Sequence, residues 1–222
     1  MNGIPLEEIK KRHKYYNNAF FARWASVYDY EKYLLTPLRR KATKFLGLKP
    51  PKKVLDVATG TGAQAYELAK QGHSVLGIDL SPEMLEQAKK KCSPGLNLSF
   101  KQEDATDLPF KDNEFDATSI SLGLHDMPHE VDIKVLKEIK RVTKKNGKIL
   151  IVDYNEPKKH WMAKTAFPII NAYETKNWRP FIERGLDSLL KEVGLKVKRE
   201  TDWLGLAQIL VINNQKPAVR SQ

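Results

Sequence analysis

The sequence predicts an α/β fold: a doubly wound, mostly parallel sheet with helices on both faces, preceded by an N-terminal helical cap. Three observations predict it. From Lys53 to Asp153 short β-rich runs alternate with helical stretches, the rhythm of successive βαβ units. The run Val54-Leu55-Asp56-Val57 passes straight into Ala58-Thr59-Gly60-Thr61-Gly62, so a buried strand meets a glycine turn that opens a helix. Upstream of Lys53 no stretch of any length alternates as a strand would.

The elements follow in order. Pro5 to Leu48 reads as helical, with Thr36-Pro37 as cap and first helical position of a helix over Pro37–Phe45 that Gly47 and Pro50-Pro51 end. Strands are expected at Lys53–Val57, Ser74–Ile78, Leu96–Lys101, Phe115–Ser121 and Lys148–Asp153. Helices are expected at Ala63–Gln71, Pro82–Lys91 and Val131–Lys144, the second opened by Ser81-Pro82-Glu83 as cap, first-turn proline and first-turn acid. Asn155–Pro180 is aromatic-rich and irregular in pattern. A helix over Phe181–Val193, stopped by Gly194, precedes two runs, Leu195–Thr201 and Leu206–Asn213, placed to pair as a hairpin around Trp203–Gly205. The expected organisation is a cap or lid over 1–50, a ligand-binding domain over 51–214 that contains the insert 155–180, and a tail over 215–222.

With 222 residues, 41% hydrophobic and 29% charged, the chain has the length and composition of one globular domain with a sizeable core. No apolar run approaches the roughly 20 residues that span a bilayer, and Met1–Lys14 is too charged for a secretory leader. Cys92 is the single cysteine, which excludes a disulfide framework or cysteine-based zinc site. It is expected to be a small buried hydrophobe, and a reducing cytoplasm is the simple location. The net charge of +11 admits nucleic acid or an anionic membrane surface as partners. The lysines are nevertheless spread in short groups such as Lys89-Lys90-Lys91 and Lys144-Lys145, mostly at helix ends. Positive charge is favoured there by the helix dipole, so a solvated lysine surface is the preferred account.

Gly60-Thr61-Gly62-Ala63-Gln64-Ala65 fits the dinucleotide fingerprint, with Asp79 a suitable distance on, and alone it admits NAD. Asp56 argues otherwise. A pyrophosphate wants exposed N–H groups and no adjacent carboxylate, whereas the cationic tail of S-adenosylmethionine accepts one. Three acids end three successive strands. Asp56 lies near the turn that would meet the methionine moiety, Asp79 is suited to two ribose hydroxyls, and Asp104 to an adenine amine. Leu80 and Met84 offer apolar walls. The edge they share is the carboxyl edge of the sheet, where open α/β folds bind ligands.

The set Asp56-x3-Gly60-x-Gly62, Gly77-Ile78-Asp79-Leu80-Ser81, Glu103-Asp104-Ala105-x2-Leu108-Pro109-Phe110 and Phe115-Asp116 resembles the class I S-adenosylmethionine-dependent methyltransferases. Within them it is similar to the ubiquinone/menaquinone-type small-molecule branch. The resemblance covers about Val54–Asp153 and more loosely reaches Asn213. It implies a Rossmann-like sheet of seven strands, with one antiparallel strand from the final hairpin. It places the cofactor on Asp56, the turn Ala58, Thr59, Gly60 and Gly62, on Asp79 with Leu80 and Met84, on Asp104-Ala105, and on Leu122 beyond the fourth strand. Ala58 departs from the first glycine that many members carry. By the same analogy Tyr28, in a Tyr28-Asp29 pair before the fold, approaches the cofactor, and Phe20, Phe21 and Trp24 roof the pocket with the Trp161–Trp178 insert.

Methyl transfer from a sulfonium is an in-line displacement that depends on alignment more than on acid or base. A base is needed where the nucleophile must lose a proton. Leu122-Gly123-Leu124-His125-Asp126-Met127-Pro128 follows the fourth strand and falls beside the methyl group. His125 is the candidate base, and Asp126 would orient it or hold a cationic acceptor. Asp126 with Asp153 and Asn155 also bears a faint likeness to the oxygen ligands of metal-dependent catechol-type enzymes, but no metal is expected.

No Asn/Asp-Pro-Pro-aromatic sequence follows the fourth strand, and Cys92 lies far from it, which disfavours base amines and pyrimidine carbons as acceptors. The expected activity is methyl transfer to a small, apolar or quinone-like molecule. The alternatives are an RNA methyltransferase, suggested by the basic and aromatic residues interleaved in Tyr15–Tyr33, and a binding module without turnover.

Overall fold

The structure is a computed structural model and describes residues 4–28, 31–155, 165, 168 and 175–214. The expectations for Asp29, for Phe21, Trp24 and the side chain of Tyr28, and for most of the 155–180 insert lie outside the described residues. Two helices lead, α1 (Leu6–Tyr28) and α2 (Glu31–Leu46). The alternating part follows as β1 (Lys53–Val57), α3 (Ala63–Ala69), β2 (Ser74–Asp79), α4 (Pro82–Lys89), β3 (Leu98–Gln102), β4 (Phe115–Ser121), α5 (His129–Val142) and β5 (Thr143–Tyr154). The chain continues through α6 (Trp178–Arg184) and α7 (Leu186–Glu192) into β6 (Val197–Trp203) and β7 (Ala207–Asn213).

The strands form one sheet of seven in the order β3-β2-β1-β4-β5-β7-β6. The pairs among β1 to β5 are parallel, and β7 alone runs against its neighbours. The chain winds outward from β1 to β3, returns to β4 and winds the other way. The order therefore reverses between β1 and β4, and a crevice opens at their carboxyl ends.

Strict alternation sends successive residues to opposite faces. Ile149 and Ile151 of β5 join a core with α5, α6 and α7, while Leu150 and Val152 join one with α2 and α3. Leu210 and Ile212 of β7 likewise face the first, Ile209 and Val211 the second. This two-sided burial is why these strands read as continuous apolar runs. Helix α1 packs on α4 and α5, whereas α2 packs on α3 and the β5–β7 side. The two leading helices thus cover opposite faces and meet over the crevice edge.

Three elements differ from expectation by more than two residues. Helix α2 begins at Glu31 and carries Pro37 in its interior. Burial of Leu38, Ala42 and Leu46 at helical spacing outweighs the one backbone hydrogen bond the proline forfeits. The helix expected over Phe181–Val193 is divided at Gly185, whose φ of 75° ends α6 and starts α7. β5 begins at Thr143 rather than Lys148, with a register shift against β4 between Phe115 and Ala117. Cys92 is exposed beyond the end of α4, its thiol 3.4 Å from the Leu98 carbonyl. It is not the buried hydrophobe expected.

Much of the positive charge is engaged in holding the fold. Arg141 of α5 donates to the carbonyls of Leu108 and Phe110 and to Glu138 and Asp112, at 2.6–2.9 Å, and so pins the loop after β3. Lys144 reaches Asp116, Lys53 reaches Glu114, and Lys148 donates to the Leu46 and Gly47 carbonyls. The Arg199 guanidinium lies on the Phe45 carbonyl. No helix among the described residues is long and apolar enough to cross a membrane.

Candidate active site

The turn after β1 is built by backbone conformation. Ala58 has φ of 50°, Gly60 of 55° and Gly62 of 77°. All three lie in the left-handed region, which costs a side-chain-bearing residue about 1–2 kcal/mol. Position 58 therefore suits the glycine that the resemblance leads one to expect, and Ala58 holds the same geometry under strain. Gly62 has a second reason: a Cβ there would stand 2.6 Å from the Phe100 ring. Gly60 would meet nothing within 4 Å, because it faces open space.

Asp56 lies beneath this turn, 1% exposed. Its carboxylate accepts from Ser119 Oγ of β4 and from Thr59 Oγ1, each at 2.5 Å. Burial pushes its carboxyl up to about 6, against the pull of the Ser119 and Thr59 hydroxyls. Asp56 therefore ties β1 to β4 and fixes the turn from behind. Asp79, at the end of β2, faces the crevice. It accepts from Gly60 N at 2.8 Å and Ser81 N at 2.9 Å, one donor on each oxygen. Burial raises its pKa, and the Ser81, Gly60 and Leu80 amides oppose the rise.

A cleft of about 1000 Å³, counted to its open mouth, is lined by Ala58, Thr59, Gly60, Asp79, Leu80 and Met84 on the β1–β2 side. Ala105, Leu122, His125 and Asp126 complete the set of sequence-derived residues that converge on it. Asp104 lies on the wall of a smaller adjoining cavity, where one oxygen accepts from Thr106 N and Oγ1 at 2.8 and 2.7 Å. Asp56 and Gly62 support the cleft from behind without lining it.

Beyond β4, Leu122 also takes a positive φ, 55°, and its N–H donates to the Val152 carbonyl at 2.7 Å. The chain then makes a short 3-10 turn over Leu124–Asp126. His125 is buried, and its Nδ1 lies 2.6 Å from Oδ1 of Asp153 at the end of β5. Asp153 also accepts from the N–H groups of Leu124 (3.0 Å) and Tyr154 (2.8 Å). With so many donors on it the carboxylate is the acceptor, so Nδ1 carries the proton and Nε2 is the basic nitrogen. Asp126 stands 3.5 Å from Nε2, too far for a well-formed hydrogen bond. Asp153 therefore holds the ring at Nδ1, while Asp126, expected to orient it or to hold a cationic acceptor, stands on the Nε2 side. Tyr154 packs edge-on against His125 at 4.7 Å between centroids, backed by Trp178 at 6.0 Å from Tyr154 and by Phe181 at 6.4 Å from His125.

Asp132 of α5, 0% exposed, stands near this pair. Neither of its oxygens has a hydrogen-bond partner among the described residues. Burial and then the Asp153 charge hold its carboxyl well above the usual range, with Arg184 and His125 pulling the other way.

Several site residues are not legible in the sequence as such. Asp153, buried behind the cleft, enters the sequence reading only as a metal ligand. His13 and Asn17 of α1 and Arg39 of α2 line the cleft. His13 and Asn17 are four apart on a helix and so share a face, a signal lost among the many polar residues of Lys10–Asn18.

The donor set fits an S-adenosyl nucleoside. A carboxylate at the crevice suits vicinal hydroxyls, Leu80, Met84 and Ala105 line a slot for a flat ring, and Gly60 leaves open space beside them. Arg39 and the 58–61 turn stand where an amino-acid tail would lie.

The chain matches the methyltransferase-domain family over residues 54–147. Those residues are a methyltransferase domain. Their class takes S-adenosylmethionine as its cofactor, in agreement with the donor set. The chain is 37% identical over 150 residues, 63% of each protein, to ubiquinone/menaquinone biosynthesis C-methyltransferase UbiE of Citrifermentans bemidjiense. It is 33% identical over 164 residues to demethylmenaquinone methyltransferase of Tropheryma whipplei, covering 72% of this chain and 64% of that one. With 2-phytyl-1,4-naphtoquinone methyltransferase of Nostoc sp. it shares 37% over 151 residues, 63% of this chain and 65% of the relative. The chain thus spans less than two thirds of the length of each of these relatives. Among solved structures, a SAM-dependent methyltransferase from Aquifex aeolicus superposes with a TM-score of 0.62 at 24% identity, over 78% of this chain and 88% of that one. That is a likeness of fold.

Proposed function

We propose that this methyltransferase transfers a methyl group from S-adenosylmethionine to a carbon of an apolar, hydroxylated quinol-type ring. The observation that carries the proposal is the buried His125–Asp153 pair at 2.6 Å, set in an aromatic wall at the inner end of the cleft. When bound, the cofactor supplies a methyl group made electrophilic by its sulfonium.

The chain's own residues do the rest. Asp79 holds the ribose hydroxyls and Leu80, Met84 and Ala105 enclose the adenine ring. The 58–61 turn and Arg39 receive the amino-acid end. Asp56 keeps that turn in register through Thr59 and Ser119. On the acceptor side, His125 Nε2 takes the proton of a ring hydroxyl, which raises electron density on the neighbouring ring carbon; that carbon would take the methyl group as the methyl–sulfur bond breaks. Nε2 then returns its proton to the ring oxygen and accepts the one that the methylated carbon must lose for the ring to become aromatic again. Asp153 keeps Nδ1 protonated and steadies the imidazolium that results. Tyr154, Trp178 and Phe181 exclude water and favour a flat apolar acceptor over a phosphorylated one. The relatives named above are quinone-type methyltransferases, and the acceptor proposed is of that chemistry. Helices α1 and α2, bearing His13, Asn17 and Arg39 on the cleft, act as its lid.

The experiment is titration calorimetry with S-adenosylhomocysteine, followed by labelled-methyl transfer to a demethylated naphthoquinol. Micromolar binding and label in the product at a ring carbon are expected. Absence of binding at millimolar ligand overturns the cofactor assignment. Binding with no transfer to any quinol overturns the acceptor.

A further inference from the structure

We infer that His13 of the N-terminal helix is a cofactor-recognition residue: one of its ring nitrogens accepts a hydrogen bond from the exocyclic amine of the bound adenine, so that the bound nucleoside tightens the hold of α1 on the cleft. The inference deepens the reading above and rests on it for the nucleoside.

The argument starts from the ring. His13 is 6% exposed, and its Nδ1, sealed from water, has no hydrogen-bond partner among the described residues. A buried polar group left unpaired costs about 1–3 kcal/mol, so such a ring calls for a partner that arrives with a ligand. Its position names the partner. His13 lines both the cofactor cleft and the small adjoining cavity, and the residues common to both include Leu80 and Ala105. In the small cavity it faces Asp104, where Thr106 already occupies one carboxylate oxygen. Met127, Val131 and Val135 give it an apolar side, and Lys10 and Lys14 of α1 also line it.

Two hydrogen-bond acceptors from different elements therefore converge beside an apolar wall. The group that matches is one nitrogen with two N–H donors on a flat ring, an aromatic amine. A carbonyl in its place would meet two acceptors and be repelled. The His13 ring is an acceptor at neutral pH because burial and the Lys176 ammonium hold it neutral, its pKa down at about 4 against the opposing charge of Asp104. Lys10 and Lys14, which also line the small cavity, act in the same sense as Lys176. Because His13 comes from α1 and Asp104 from the loop after β3, a single amine bridges lid and domain.

The test measures binding of S-adenosylhomocysteine and of S-inosylhomocysteine, which carries oxygen in place of the amine, to the full chain and to His13→Ala and His13→Asn. Amide exchange of α1 is followed with and without ligand. Expected are a loss of about tenfold in adenosyl affinity for His13→Ala, little change in inosyl affinity, partial recovery in His13→Asn, and ligand-induced protection of α1 that disappears in His13→Ala. Unchanged adenosyl affinity in His13→Ala, or equal loss for both ligands, overturns the inference while leaving the cofactor assignment intact. Failure of the parent chain to bind either ligand overturns both.

Discussion

Gly60 and Asp79 are one device: the amide of the glycine, at the tip of the turn after β1, donates at 2.8 Å to the carboxylate that ends β2. The acid assigned to the ribose also clamps the turn assigned to the amino-acid end. Replacing it disturbs both halves of the site together.

Asp79→Ala is therefore expected to weaken S-adenosylhomocysteine binding by about 1–3 kcal/mol, roughly 5- to 150-fold. Asp79→Asn, which keeps one carbonyl oxygen for Gly60 or Ser81, should lie between. Calorimetric titration of both variants checks the order, and equal affinity in parent and Asp79→Ala removes Asp79 from the site.

His125→Ala and Asp153→Asn separate chemistry from binding. Loss of a positioned base costs about 10²–10⁴ in rate, so both variants should lose turnover to that extent while binding S-adenosylhomocysteine within about twofold of the parent. Asp153→Asn leaves the ring in place but deprives Nδ1–H of its charged acceptor. Its remaining activity should therefore shift its pH dependence, which His125→Ala cannot do. Single-turnover methyl transfer across pH makes the measurement.

These two sites also mark the limit of what the sequence discloses. The alternating elements, the carboxyl-edge acids and the glycine turn were legible because each is local: a strand, its last residue and the turn after it are contiguous. So were Lys53–Val57 and Phe115–Ser121, whose bounds the structure reproduces. What was not legible depends on which elements come together. Asp126 is the sequence neighbour of His125, yet the ring turns to Asp153, 28 residues away, because β4 and β5 are adjacent in the sheet. Asp56 heads the cofactor motif, but Ser119 and Thr59 draw its carboxylate behind the turn. His13 and Arg39 reach the cleft only through the docking of α1 and α2 on opposite faces, which helical periodicity does not specify.

Gly62→Ala tests the turn's packing. Its Cβ would stand 2.6 Å from the Phe100 ring at a φ of 77°. Left-handed strain of about 1–2 kcal/mol adds to an overpacking cost of about 1–3 kcal/mol. At about 2–4 °C per kcal/mol for a domain of this size, melting should fall by several degrees. Phe100→Leu in the same chain should recover part of the loss by relieving the contact and not the strain. Thermal unfolding of the single and double variants distinguishes the two contributions, and a double variant no more stable than Gly62→Ala rules out the clash.

Asp132 gives the chain a pH signature of its own. Burial and the neighbouring Asp153 and Asp126 charges raise its carboxyl, while Arg184 and His125 offset them only in part. A carboxyl raised on folding contributes stability that is fully present below its unfolded value, about 4. That stability is lost as pH rises toward the folded value, because the unfolded chain ionises first. Asp132→Asn stays neutral throughout and cannot incur this loss. Whatever the amide itself costs in a site without partners, that cost is the same at every pH. The melting temperature of Asp132→Asn relative to the parent should therefore climb as pH rises from about 4, and be flat below. Parallel melting curves across that range would mean that Asp132 is ionised in the folded chain even in acid, and that Arg184 pairs with it more closely than its unpartnered oxygens suggest.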